Sequence, residues 1–501
     1  MKKDILKALV AFSFICIAVI LASYVYDTKQ KYKDESKKIN SNQVSEVHVN
    51  KNNKNGFNLP LIIINTNGSV ISYDKQVQAE IKVYDNKTDL NYLTDEPKLD
   101  SKINIKVRGN TTRYYPKKQY GIELINNDGS EKKEKLLDMK KESKWVLNGP
   151  FADKSLMRNY IVFKTSRNIV EYAPDVRFCE IFVIDDNSNN LTQKHYKGVY
   201  MLVEKIKRGE DRVDIVKSQD DIDETSFIIA KDRNKPGDIT IKSYGKETYI
   251  YDYRINIEYP KKDLTPEKYK YVSKYISQFE RALYSEKFND PLTGYNKFID
   301  VGSFVDYYII NEFFLNTDAG ILSTYMYKDY NEKMKAGPIW DFNRSLGNNE
   351  TKNKKAFEYK GFFMIKRSWF DRLMEDVNFA NKVVERYKEL RKTYLSDEYL
   401  LNLIEKTTIY LGDAIDRNFK TWPIYMTNQA DMLKNHGDLF KPYEHDPKKF
   451  DDFLKDNQTL LNSTIGKANS YEEEIYLMKN FIVERGRWMD ENIDSLNKWA
   501  N

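Results

Sequence analysis

Cysteine, histidine and net charge are all scarce in this sequence, and each shortage removes a class of function. Only Cys16 and Cys179 occur, one in an apolar N-terminal stretch and one in a predicted strand, which excludes a disulfide framework. His48, His195, His436 and His445 fall in no H-E-x-x-H pattern and the cysteines in no C-x-x-C pattern, which disfavours zinc hydrolase chemistry. Basic and acidic residues number 81 and 75, and the surplus of +6 is dispersed, so a nucleic-acid partner is not expected. No heptad persists and no internal repeat is found, which argues against a coiled coil or a solenoid.

What is present points to a large, mixed α+β body. At 501 residues the chain exceeds one comfortable core, and two or three packed units are expected. Lys2, Lys3 and Lys7 precede residues 8–26, a run of 19 residues without a charge that is long enough to cross a hydrocarbon core of about 30 Å. Leu21-Ala22-Ser23 matches a cleavage site poorly, so the expectation is an uncleaved signal-anchor, with residues 1–7 as a cytoplasmic tail and the body outside the membrane. Residues 27–57, rich in lysine and asparagine, read as a flexible stalk. Three parts follow: a β-rich lobe over 58–215, a second lobe over 216–350, and a helical subdomain over 351–501.

Strands are predicted at 61–64, 77–83, 103–107, 117–124, 144–148, 177–184 and 198–206, from alternation or from short apolar runs. Residues 214–270 read as a polar, irregular crossing with short strands. Thr265 caps a helix over 267–286 with Pro266 in its first turn, and further helices are predicted at 154–169, 301–315, 369–376, 379–395, 397–418 and 471–496. Strands at 323–328 and 334–340 form a hairpin.

Two acids stand at one end of that hairpin. Asp341 follows Gly337-Pro338-Ile339-Trp340, and Asp318 lies 23 residues upstream at the end of the 301–315 helix. Either is a turn-capping residue in the plain reading; together, on neighbouring loops, two acids can share one metal. Arg108-Gly109-Asn110-Thr111-Thr112, with Lys117 and Lys118 beyond it, reads as a simple hairpin or as a donor-rich turn that cradles phosphates. Glu204, ending the apolar run 198–203, is either an edge-strand acid or the partner of a phosphate-binding lysine.

The order of these blocks resembles the spore-coat protein H (CotH) kinase family, over roughly residues 59–492. The marks are Arg108-Gly109-Asn110 with Pro116-Lys117-Lys118, residues Asp153-Lys154-Ser155-Leu156-Met157-Arg158-Asn159, Tyr172-Ala173-Pro174, Gly198-x-Tyr200-x-Leu202-x-Glu204, Asn316-x-Asp318 and Trp340-Asp341-Phe342. The resemblance implies an atypical protein-kinase-like two-lobed fold and transfer of the ATP γ-phosphate to serines of a surface or spore-coat protein, with Mg²⁺ or Mn²⁺. It implies Asp341 as metal ligand, Asp318 as the catalytic residue that orients or deprotonates the hydroxyl or else as a further metal ligand, and Lys118 or Lys117 on the phosphates. Glu204 would hold that lysine, and Arg108 and Asn110 would line the phosphate loop. Asn343 stands where the family has a second acid, and Ser323 where a kinase-like loop has a metal-binding Asn, each a weaker oxygen ligand. It also implies a secreted or spore-associated protein if the N-terminal segment is cleaved. The alternative is a cell-surface or coat binding protein that keeps this fold without turnover, and a third reading, glycoside chemistry by paired carboxylates, lacks a carbohydrate-binding pattern.

Overall fold

Alternating residues close the first sheet on itself. In the computed structural model, which describes residues 56–87, 90–110, 112–188, 190–220, 223–233, 237–241, 244, 254–348, 359–422, 468 and 470–499, seven strands form a closed barrel. They are β1 (Leu61–Asn65), β2 (Val77–Tyr84), β3 (Leu99–Arg108), β4 (Gln119–Ile125), β5 (Lys144–Asn148), β6 (Val176–Ile184) and β7 (Tyr196–Glu204), in the order β1-β2-β3-β4-β5-β7-β6. Closure comes from β1 and β6, which pair in parallel with Leu61 opposite Glu180; the other pairs are antiparallel. Ala79, Ile81 and Val83 of β2 and Ile103, Ile105 and Val107 of β3 point inward, with polar residues between them. β6 and β7 are buried on both faces, so they read as continuous apolar runs.

The outer faces of β6 and β7 carry a second core. Phe178, Val199, Met201 and Val203 pack in one cluster with Phe227 and Ile229 of a five-stranded antiparallel sheet ordered β12-β11-β8-β10-β9. Its strands are β8 (Phe227–Asp232), β9 (Thr240–Ile241), β10 (Arg254–Tyr259), β11 (Thr324–Lys328) and β12 (Lys335–Ala336). Three of the five, β8, β9 and β10, lie in the stretch 214–270, where short strands are expected. The expected 334–340 strand shrinks to two residues, because Pro338 has no N–H for the ladder; Gly337 N still donates to the Tyr325 carbonyl at 2.8 Å.

Helices pack against both sheets. They are α1 (Arg158–Ser166), α2 (Pro266–Leu283), α3 (Val301–Phe313), α4 (Trp369–Leu373), α5 (Val377–Arg391), α6 (Asp397–Leu411), α7 (Ala414–Thr421) and α8 (Tyr471–Asn492). Thr265 accepts from Lys268 N, with Pro266 in the first turn, as expected. The helix predicted over 397–418 breaks at Gly412, whose φ of +44° leaves the helical region, and Asn58 donates to the freed carbonyls of Tyr410 and Leu411 at 3.0 and 2.8 Å.

Described residues from Phe57 onward belong to one unit. Phe57, the last residue of the expected stalk, already belongs to it, bridged to Asn91. The rest of the expected stalk apart from Gly56, the tail 1–7 and the signal-anchor 8–26 lie outside the described residues. Among the described residues no helix is long and apolar enough to cross a membrane.

Candidate active site

Where the outer face of the barrel meets the second sheet, a polar cleft opens, and most of the expected site residues line it. Arg108, Asn110, Asp318, Ser323, Asp341 and Asn343 all face it, together with Gln119, Asn148, Asp232, Arg233 and Arg344. Arg108 ends β3 with its guanidinium 5.5 Å from the centre of the Trp340 ring. Burial lowers its pKa and Asp341 and Asp232 oppose that, but a guanidinium keeps its charge throughout. The turn after it depends on Gly109: φ is +100°, and a Cβ there would stand 1.9 Å from Thr112 Oγ1.

Asp318 is delivered by α3. Beyond that helix, Asn316 Nδ2 donates to Asn311 Oδ1 at 3.1 Å while Asn316 Oδ1 accepts from Asp318 N at 3.3 Å. Asp318 then caps the next turn, its carbonyl accepting from Ile321 N and Leu322 N. Asp341 sits in the left-handed region at φ +63°, a conformation Asp tolerates better than most residues. Burial first, and then the Asp318 carboxylate, push its pKa up to about 6 against the pull of Arg108. The two acids therefore share one electrostatic environment.

A buried clamp holds the Asp341 loop. Asn159 Oδ1 accepts from Phe342 N at 2.7 Å, and Arg158 donates from Nε to the Ser345 carbonyl at 3.1 Å and from Nη2 to the Leu346 carbonyl at 3.3 Å. Arg158 is held in turn by Asp153 at 2.6 Å and by Glu474 of α8 at 2.7 Å. The Asp153–Asn159 block, seen in the sequence only as a family mark, is thus the seat of the acidic loop.

Three expected residues are elsewhere. Lys117 is buried, with Nζ donating to the Val199 carbonyl at 2.7 Å and to Asn418 Oδ1 at 2.8 Å, and burial drops its pKa well below the lysine range. Lys118 Nζ donates to the Arg113 carbonyl at 2.8 Å. Glu204 pairs with Arg212 at 2.7 Å and accepts from Asp175 N at 2.9 Å. None of the three lines the cleft, and the expected lysine–Glu204 pair is replaced by an arginine eight residues further along the chain. Among the described residues the cations that line the cleft are Arg108, Arg233 and Arg344, with no lysine among them. Asp232 is the acid that sequence reasoning missed. Its signal resembles that of Asp341, an acid closing a strand, here one lysine beyond the apolar run Phe227-Ile228-Ile229-Ala230.

Among the described residues no group of three or more His, Cys, Asp or Glu side chains is arranged to hold a metal by itself. The donors that face the cleft are hard oxygens, from Asp341, Asp318, Asn343 and Ser323. That set fits Mg²⁺ or Mn²⁺, since Mg²⁺ commonly takes one or two carboxylates and completes its shell with phosphate oxygens and water.

A search of curated proteins returns no match to this chain. Residues 105–489 match the model of a family described as CotH kinase protein, and that span includes every cleft residue named above. With most of its length inside that match, the chain belongs to the CotH kinase family.

Proposed function

We propose that the protein is an atypical serine kinase, with the barrel and the second sheet serving as the two lobes of a kinase-like body that passes the γ-phosphate of ATP to a serine hydroxyl. The observation that carries this reading is the meeting of Asp318 and Asp341 in one cleft with arginine as its cation. Asp341, with Asn343 and Ser323, would hold a divalent cation. When bound, that ion neutralises charge on the β- and γ-phosphates. Asp318 orients the serine hydroxyl and takes its proton as Oγ bonds to the γ-phosphorus. The bond to the β–γ bridging oxygen breaks and ADP leaves.

Arg108 takes the phosphate-pairing place that a lysine was expected to fill, pre-set by its stacking on Trp340. The turn at Gly109 and Asn110 lines the same end of the cleft. On this reading the acceptor is a surface or spore-coat protein, and residues 8–26 anchor the body outside the membrane. The amide at Asn343, in place of a second acid, favours one competing reading, a binding protein that keeps the cleft without turnover.

The two separate on titration of the full chain with ATP and Mg²⁺ or Mn²⁺. The kinase reading expects a metal-dependent rise in melting temperature. It further expects Asp318→Ala to keep nucleotide binding while phosphoryl transfer falls by about 10²- to 10⁴-fold. Absence of any nucleotide-dependent shift would leave the binding protein standing.

A further inference from the structure

One polar row on the barrel is used by the chemistry above only at its Arg108 end. Arg108 of β3 lies directly opposite Gln119 of β4, and the β4–β5 register, with Tyr120 opposite Leu147, carries the row on to Asn148. The adjacent residues Val107, Tyr120 and Leu147 belong to the barrel interior, so these three side chains stand on the outer face and line the cleft. Neighbouring strands lie about 4.8 Å apart, which sets Gln119 about 5 Å and Asn148 about 10 Å across the sheet from Arg108.

We propose that Gln119 and Asn148 recognise the base of the nucleotide, through side-chain amides on the outer face of the barrel; this rests on the kinase reading of the cleft. Arg108, Asp318 and Asp341 fix the phosphate end. A nucleotide anchored there and laid along the row brings its base over β4 and β5. An amide presents a donor beside an acceptor, which complements the 6-amino group and adjacent ring nitrogen of adenine. The only side-chain hydrogen bond either amide makes among the described residues is a long one between them, Asn148 Nδ2 to Gln119 Oε1 at 3.5 Å. Both are half-buried, so their remaining capacity is directed into a partly desolvated cleft. Tyr115 and Val203 add apolar surface to the same wall, and the Tyr115 ring is itself packed against Phe151 at 5.4 Å.

The test measures affinity of the full chain, in Mg²⁺, for ATP, for purine riboside triphosphate, which lacks the 6-amino group, and for tripolyphosphate. Wild type should bind ATP at least about tenfold more tightly than either of the others. In the double variant Gln119→Leu/Asn148→Leu, ATP should fall to the affinity of tripolyphosphate, whose own binding is unchanged. Gln119→Glu, which keeps shape and removes the donor, should lose the same preference and serves if the double variant misfolds. Equal wild-type affinity for ATP and purine riboside triphosphate, or a preference for ATP that survives these substitutions, overturns base recognition and leaves the kinase reading intact. A wild type that binds neither ATP nor tripolyphosphate overturns the kinase reading and base recognition with it.

Discussion

Strands β3, β4 and β5 carry two sets of side chains one position apart. Inside the barrel, Val107, Tyr120 and Leu147 are packed among apolar neighbours; outside, Arg108, Gln119 and Asn148 face a cleft with three acids. The inner set is held by burial and has little freedom to change volume. The outer set faces carboxylates, among them Asp341, whose pKa is raised by burial first and then by the Asp318 carboxylate. Stability and chemistry therefore share strands but not residues, and substitutions on the two faces should separate cleanly in folding and in binding.

The largest separation is expected at the acids. Asp341→Asn should abolish metal-dependent ATP binding and lower phosphoryl transfer by at least about a hundredfold. It also removes a like charge beside Asp318, so the free protein should melt no lower than wild type. Calorimetry with and without Mg²⁺ and ATP reads both effects, and a lower melting temperature in the free protein would mean that Asp341 serves the fold as well.

Next comes the inner face. Ile105 is fully buried, and Ile105→Ala should cost about 2–5 kcal/mol of stability by denaturant titration, with the ATP affinity of the folded fraction unchanged. Arg108→Ala, three residues on, should show the reverse, a loss of ATP affinity with little change in stability. If both variants lose stability equally, the division between the faces is wrong.

The same alternation explains what could be read in advance. β2 and β3 have one face in the core, so their period of two is visible in the sequence, whereas the acids stood out because each closes a recognisable element. Asp232 did not stand out, because β8 is a six-residue run inside a polar segment, and its place in the cleft comes from pairing with β10 and β11. Partner choice was equally hidden. Glu204 meets Arg212 and not a lysine because the chain turns back on itself after β7, and the carbonyls freed at the break before α7 are met by Asn58, more than 350 residues away in sequence. Sequence spacing carries no record of such meetings.

A smaller effect, of a different kind, is expected from the ion pairs on the outside of the barrel. Asp175 is partly desolvated, which alone would raise its pKa, but Lys164 at 2.9 Å and Arg177 at 2.5 Å hold it down to about 2. Its folded value thus lies below the unfolded value of about 3.9, so its contribution is present above pH 4 and lost as pH falls towards 2. Allowing for solvent screening, that contribution is on the order of 1–2 kcal/mol. Urea titrations of Asp175→Asn and wild type should differ at pH 7 and converge near pH 2. The deficit of Ile105→Ala, being apolar, should persist across the range; a constant deficit for Asp175→Asn would show that its charge is not what matters.

The smallest expected effect is the sharpest test of the cleft's cation. Lys118 precedes Gln119 and was the expected phosphate ligand, yet its Nζ donates to the Arg113 carbonyl, and burial lowers its pKa to about 8. A lysine so placed supports the turn between β3 and β4, and its loss removes one hydrogen bond of about 0.5–1.5 kcal/mol. Lys118→Met should therefore leave ATP affinity within about twofold of wild type, because the phosphate charge is met by Arg108 from the row next to it. A fall of tenfold or more, at unchanged melting temperature, would return the phosphate-binding role to Lys118 and require its side chain to swing out of the turn when nucleotide binds.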